Sequence, residues 1–415
     1  MTRALAALGL AALVACGTHT TGPPGTVTVT FVGWGAPEER AFVRQAIDAL
    51  EARDPKIHVV YTQVPGVGYD YLNKLRLMLV ANRAPDVFYV PDGAFAELVR
   101  AGTLLDLDPL LRESDVDLAA MWPTAVARYR WNGALYALPK DLGPMALYYD
   151  KAIFQRRGVP TPDPHEPMTW EEAVAMWHAL TYDERGVHHY GLTAFPYEAA
   201  VWSSGAEILS PDRRAWLLTD PVAERAVQWC ADLANVEGIA PSPARVPATT
   251  DLFEAGIAAT HIDGRWMVPR FRTLAFDWDV APIPVPHKGA PSIARSGSVG
   301  FAIGKSTEHP HEAFEVVRWL AGPEGQAILV KSGLQLPNQR ATANTDLYLQ
   351  RDRRPAHAEV FVAAAETSRP APQTETPSTF WFDVYSVFSE PVWRGERPAK
   401  DVFPEIKPRI DQALR

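Results

Sequence analysis

Between Val27 and Val90 the apolar residues switch repeatedly between two spacings, and this narrows the fold more than any other feature of the chain. Val27, Val29 and Phe31 are separated by Thr28 and Thr30, the period of two of a strand. Gly33-Trp34-Gly35 ends that run. Pro37-Glu38-Glu39 then opens a helix, with proline where no N–H is needed and acids where the helix dipole favours them. Its apolar stripe is Phe42, Val43, Ala46, Ile47 and Leu50. A strand over 57–64, a helix over 69–80 and a strand over 86–90 follow. The order β-α-β-α-β requires parallel strands joined by right-handed crossovers. Such sheets bind ligands beyond the carboxyl ends of their strands, where Trp34 and Asp92 fall. Topology alone therefore makes these two residues candidates for a binding site.

At 415 residues the chain exceeds what one hydrophobic core supports, so two lobes are expected. A net charge of −9 excludes nucleic acid as a partner, because neutralising phosphates needs a basic surface. The 13 tryptophans exceed what core filling requires, and flat apolar rings with a polar edge suit sugars. Two cysteines, Cys16 and Cys230, define no disulfide framework. Cys230 falls in a run with helical apolar spacing and reads as a buried thiol.

The amino terminus sets the compartment. Arg3 precedes the apolar stretch 4–14, which carries no acid and is too short to span a bilayer. Leu13-Val14-Ala15-Cys16 with Gly17 resembles a bacterial lipobox, so residues 1–16 read as a lipoprotein signal peptide with Cys16 as the lipidation site. Residues 17–25 are rich in Thr, Gly and Pro and read as a flexible tether.

Past Pro139 a short aromatic strand spans 146–149. Thr169, with Glu172 three residues on, forms a capping box that starts a helix. Further helices are expected near 202–209, 221–236, 248–255, 312–321 and 399–414, and a strand over 300–303. Alternating prolines in 280–286 rule out a central strand there, and the segment reads as an extended passage between lobes.

Several ordered motifs resemble the family 1 extracellular solute-binding proteins, the maltose-binding-protein-like group. They are the lipobox, Ala84-Pro85-Asp86-Val87, Gly102-Thr103-Leu104-Leu105, and Leu135 to Asp141 followed by Leu147-Tyr148-Tyr149-Asp150-Lys151. Pro167 to Glu172, and Phe253 to Ala259 with Gly264-Arg265-Trp266, complete the set. The resemblance implies an α/β fold of the two-lobed periplasmic-binding-protein type, with discontinuous lobes joined by three hinge segments. These fall at about 137–146, 280–287 and 334–341. One lobe then comprises 26–140 and 285–336, the other 141–284 and 337–415. It also implies a monomeric, lipid-anchored subunit of an ABC importer that clamps a carbohydrate, most simply an oligosaccharide, and passes it to permease subunits without a cofactor, metal or catalytic residue.

The candidate ligand-binding residues are Trp34, Asp92 and Asp141, then Trp202, Arg265, Trp266, Ser296 and Trp381. Trp266 and Trp381 match positions where the family presents an aromatic ring. Arg265 and Arg295 could fork an anion, so a glycerol-phosphate-type solute is the alternative ligand. A secreted glycoside hydrolase is the alternative of another class, since aromatic clefts with paired carboxylates serve that chemistry too. Gly304-Lys305-Ser306-Thr307 lacks the earlier glycine of a P-loop, as Val299 occupies its place. His188-His189 and His309-Pro310-His311 lack zinc-site spacing.

Overall fold

The computed structural model describes residues 22–35, 37–65, 69–81, 83–242, 250–372, 374 and 378–415. The signal segment and Cys16 lie outside them. Two large sheets and a two-stranded ribbon (Arg130–Trp131 with Ala134–Leu135) are present among the described residues, and the chain passes between the large sheets three times.

The first sheet grows from the alternation at the amino terminus: β1 (Val27–Gly35), α1 (Pro37–Arg53), β2 (Ile57–Pro65), α2 (Tyr69–Val80), β3 (Val87–Pro91) and α3 (Asp92–Arg100). β1 runs parallel to β2 from Val27↔Ile57 to Gly35↔Pro65, and parallel to β3 through Phe31↔Val87. Strand Val299–Ile303 joins β3 antiparallel, and strand Ala137–Pro139 closes that edge. Val29 and Phe31 of β1 and Val43, Ala46, Ile47 and Leu50 of α1 are buried together. Burial of each larger side chain contributes about 1.5–3 kcal/mol. Asp86 fastens this layer. One carboxylate oxygen accepts from the Thr30 amide (2.8 Å) and hydroxyl (2.6 Å), and the other from the Thr307 hydroxyl (2.6 Å). The Ala84-Pro85-Asp86-Val87 motif is therefore a clip between strands.

The second sheet is organised around one long strand, Asp141–Asp150, of which the aromatic 146–149 stretch is the far half. Strands Ala258–Gly264, Trp278–Ala281, Arg295–Gly297 and Leu336–Pro337 all pair antiparallel with it. Helix Trp170–Leu180 starts on the capping box: the Thr169 hydroxyl accepts from the Glu172 amide at 3.2 Å, and the Glu172 carboxylate from the Thr169 amide at 2.8 Å. Helix Pro221–Asn235 buries Cys230, whose thiol is pushed well up by burial and then by the nearby Glu198.

The passages are short. The chain leaves the first sheet between Pro139 and Asp141 and returns between Gly297 and Val299. It leaves again before Leu336–Pro337, which pairs with Asp141 and Leu142. The proline-rich 280–286 segment is not a passage. Trp278–Ala281 pairs along Leu147–Asp150, Ile283 is buried in the second lobe's core, and the Val285 amide donates to Met168 O at 2.8 Å. The residues between the prolines keep their N–H groups, which suffices to hold an edge segment in place. Residues 285–297 thus belong with the second sheet, and the change of sheet falls at Ser298 rather than near 285. The helix expected near 202–209 spans Tyr197–Ser203 instead, because Ser204-Gly205 ends it. A small core joins the lobes, in which Trp122 and Ala125 pack with Leu142, Leu336, Tyr348 and Leu349.

Candidate functional site

Three glycines make room for Trp266. Gly264 ends strand Ala258–Gly264, Gly143 lies in the long strand, and Gly297 ends Arg295–Gly297 as the register partner of Gly143. A Cβ on Gly264 would come within 2.2 Å of the indole, one on Gly143 within 2.7 Å, and one on Gly297 within 3.8 Å. Glycine inside strands permits this close approach, and the ring lies against bare backbone. Trp266 is nevertheless 38% exposed, a large apolar surface to leave in water. Two of the three strands of its bed are those through which the chain changes sheets, so the exposed surface sits at the lobe junction.

From strand Arg295–Gly297, whose last residue faces the indole, a row of alternating charge runs between the lobes. The buried Arg128 donates to Asp92 at 2.8 Å, to the Ser296 carbonyl at 2.7 Å and to the Ser296 hydroxyl. Burial pushes the Asp92 carboxyl up, and Arg128 and then Arg295 oppose that shift. Arg295, half-exposed, has Nε 3.7 Å from the buried Glu198 carboxylate. The order Arg128, Asp92, Arg295, Glu198 runs from the first lobe to the second with signs balanced.

Behind the row lies a buried cation at the first passage. Lys140 Nζ is 2.9 Å from Glu39 and 3.0 Å from Asp141, also contacts Gln335, and lies 5.3 Å from the Tyr89 ring centroid. Burial pulls its pKa down, but Glu39 and Asp141 outweigh that and hold the ammonium above the usual lysine range. Gly35, at φ +146°, leaves the space that Glu39 fills, since a Cβ there would meet its carboxylate at 2.1 Å.

The sequence candidates separate accordingly. Trp266 and Asp92 come to the junction. Trp34 is partly buried at the end of β1, its ring 4.7 Å from Tyr71 and 5.2 Å from Tyr89. Asp141 is a strut of the passage: one oxygen accepts from Lys140, the other from the Val299 amide at 2.8 Å, and its carbonyl accepts from the Ser298 hydroxyl at 2.7 Å. Ser296 is fully buried under Arg128. Trp202 is buried, its ring capped by Arg369 at 4.8 Å beside a cavity of about 410 Å³. Arg265 has no exposed surface and packs against Tyr348, so it is not available as a fork in the cleft. Trp381 falls in helix Ser378–Trp393, and its side chain lies outside the described residues. Sequence reasoning passed over Glu198, Arg128 and the glycine bed. The signal for the bed was present, as glycines at 143, 264 and 297 interrupt segments that otherwise read as strands.

Two discontinuous α/β lobes, three short passages and an open aromatic surface at the junction define a two-lobed solute-binding protein. The bacterial extracellular solute-binding protein family matches residues 33–327, and the chain belongs to it. Members of that family serve ABC transporters from outside the cytoplasm. A binding protein of Brucella abortus is 24% identical over 366 residues, covering 84% of each chain. An ABC substrate-binding protein of Listeria monocytogenes, solved with cycloalternan, superposes with a TM-score of 0.82 at 20% identity, over 94% of this chain and 99% of its own. UgpB of Mycobacterium tuberculosis, solved with glycerophosphocholine, gives 0.78 at 21% identity, over 94% and 99%.

Proposed function

We propose that this protein binds a neutral carbohydrate, an oligosaccharide, between its lobes and delivers it as a monomer to an ABC permease. The observation that carries this reading is Trp266, laid on its glycine bed beside a charge-balanced row. The indole offers an apolar face to the C–H side of a sugar ring. Arg295, Glu198 and Asp92 offer a donor and acceptors for hydroxyls. Arg295 stands between two acids, so the row carries no surplus positive charge for an anion. Solute held by both lobes would favour the closed form, which the permease reads. A thermal-shift panel on the purified protein tests the reading, because stabilisation grows with the logarithm of ligand concentration over Kd. Neutral oligosaccharides should raise the midpoint saturably and without turnover. A response only to glycerophosphodiesters would establish the anionic alternative, and hydrolysis of the sugar would establish a glycosidase.

The lipobox-like Leu13 to Cys16 supports a signal peptide and a lipid anchor at Cys16 on the outer face of the cytoplasmic membrane. Expressed in a bacterium, the protein should enter the detergent phase on cloud-point extraction, and a Cys16→Ser variant the aqueous phase. Retention of the variant in detergent would exclude Cys16 as the anchor.

A further inference from the structure

Arg265 is a fully buried cation with no ion-pair partner among the described residues. It opens the turn Arg265–Met267, with its guanidinium 4.1 Å from the Tyr348 ring centroid and 5.8 Å from that of Phe361. Nη2 donates to the Tyr348 carbonyl at 3.0 Å, while Nε and Nη1 are buried without an acceptor. Arg272, just past helix Val268–Phe271, donates from Nε to Arg354 O and from Nη1 to Gln350 Oε1, each at 2.7 Å. Its Nη2 is likewise buried without an acceptor, and the buried Tyr348 hydroxyl faces only the Arg265 guanidinium, leaving its own proton without an acceptor. These groups share one neighbourhood. The Tyr148 hydroxyl lies within electrostatic range of Asp263, Arg265, Tyr348 and Arg272 together. Burial, and then the Arg265 cation, pushes Arg272 down to about 10.

Among the described residues the surrounding acids form no ion pair with either cation, and Asp352 acts on Arg272 only from electrostatic range. Asp263 holds the Gly264 amide at 2.7 Å and faces His261 at 3.3 Å. Glu359 lies 3.9 Å from Arg351. Arg354 adds a third cation, directed at the carbonyls of Phe276, Arg272 and Leu274. Buried charge without a partner is strongly disfavoured, and buried donors are almost always satisfied. Guanidinium groups are also the donors best suited to small anions.

We infer that a small inorganic anion binds here, between Arg265 and Arg272, with the Tyr348 hydroxyl as a further donor. The site lies one residue from Trp266, and Tyr348 belongs to the small core that joins the lobes. The anion therefore fixes the turn that carries the aromatic surface to the segments through which the lobes connect.

Thermal unfolding of the purified protein at constant ionic strength tests this, with sodium gluconate replaced in turn by chloride, inorganic phosphate or sulfate. At least one replacement should raise the midpoint in proportion to the logarithm of its concentration, as a bound anion does. That dependence should vanish in Arg272→Gln and in Arg265→Met, with far-UV circular dichroism confirming which variants fold. If neither folds, crystals soaked in bromide and in phosphate decide, by density in contact with the two guanidinium groups. Equal midpoints in all four salts with no such density would show that no anion binds between the two arginines. A salt response that survives intact in Arg272→Gln would place the anion elsewhere. Either result overturns the assignment.

Discussion

Replacing Lys140 with methionine is expected to destabilise the folded protein by about 3–5 kcal/mol, the usual cost of leaving buried charge unpaired. The Glu39 and Asp141 carboxylates that face the ammonium are each only 11% exposed, and their geometry is fixed from other directions. Asp141 is held by the Val299 amide, and Glu39 fills the space beside Gly35. Neither can turn to water without disturbing the first passage. The loss should appear as a lower denaturant midpoint, and adding Glu39→Gln to the Lys140→Met chain should recover part of it. A loss under about 1 kcal/mol would show that the carboxylates find other partners, at the level of a solvated surface pair. The folded pKa of Lys140 is raised, so its contribution is fully present below the unfolded value of about 10.4 and fades only as pH climbs through the folded one. Stability near neutral pH should therefore be insensitive to this group's titration.

The second large effect concerns solute affinity. Trp266→Ala should weaken binding of the solute found in the panel by about 1–3 kcal/mol, roughly five- to 150-fold, as for a lost aromatic anchor. The indole is 38% exposed, so the fold should tolerate its removal with little change in midpoint. Gly264→Ala should reproduce the binding defect with Trp266 still present, because the new Cβ would sit 2.2 Å from the ring and lift it from its bed. Titration calorimetry on both variants, with Trp266→Phe as the partial replacement, makes the comparison. Unchanged affinity in Trp266→Ala would remove the ring from the site. A normal Gly264→Ala would leave the ring in the site but remove the role of the bed.

What could be read in the chain depended on how far each signal reaches along it. The opening strands and helices follow from apolar spacing over a few residues, and the Thr169 box from two residues three apart, so both were legible. The second passage was misplaced because prolines at 282, 284 and 286 look like a linker, whereas a segment crosses or stays according to what it pairs with. Asp141 and Arg265 were natural candidates by chemistry and neighbours in sequence. Their partners, Val299 and Tyr348, are 158 and 83 positions away along the chain, and no local pattern announces such contacts. Trp266 and Asp92 could be brought to the junction from the sequence because strand ends and the Gly-x-Trp motif are local. The glycine bed was not, since three residues from three strands become one surface only after the sheet forms.

Cys230 has a practical consequence. Its thiol is buried and pushed well above the usual cysteine range, so almost no thiolate is present at neutral pH to attack an electrophile. In a chain carrying Cys16→Ser it is the sole remaining cysteine. A new cysteine at an exposed position, such as Leu77 on α2 or Val236 beyond helix Pro221–Asn235, would then be the one site a maleimide dye can reach. The Cys16→Ser chain thus serves, without any change to its interior, as a scaffold for a fluorescent reporter of whatever solute it captures.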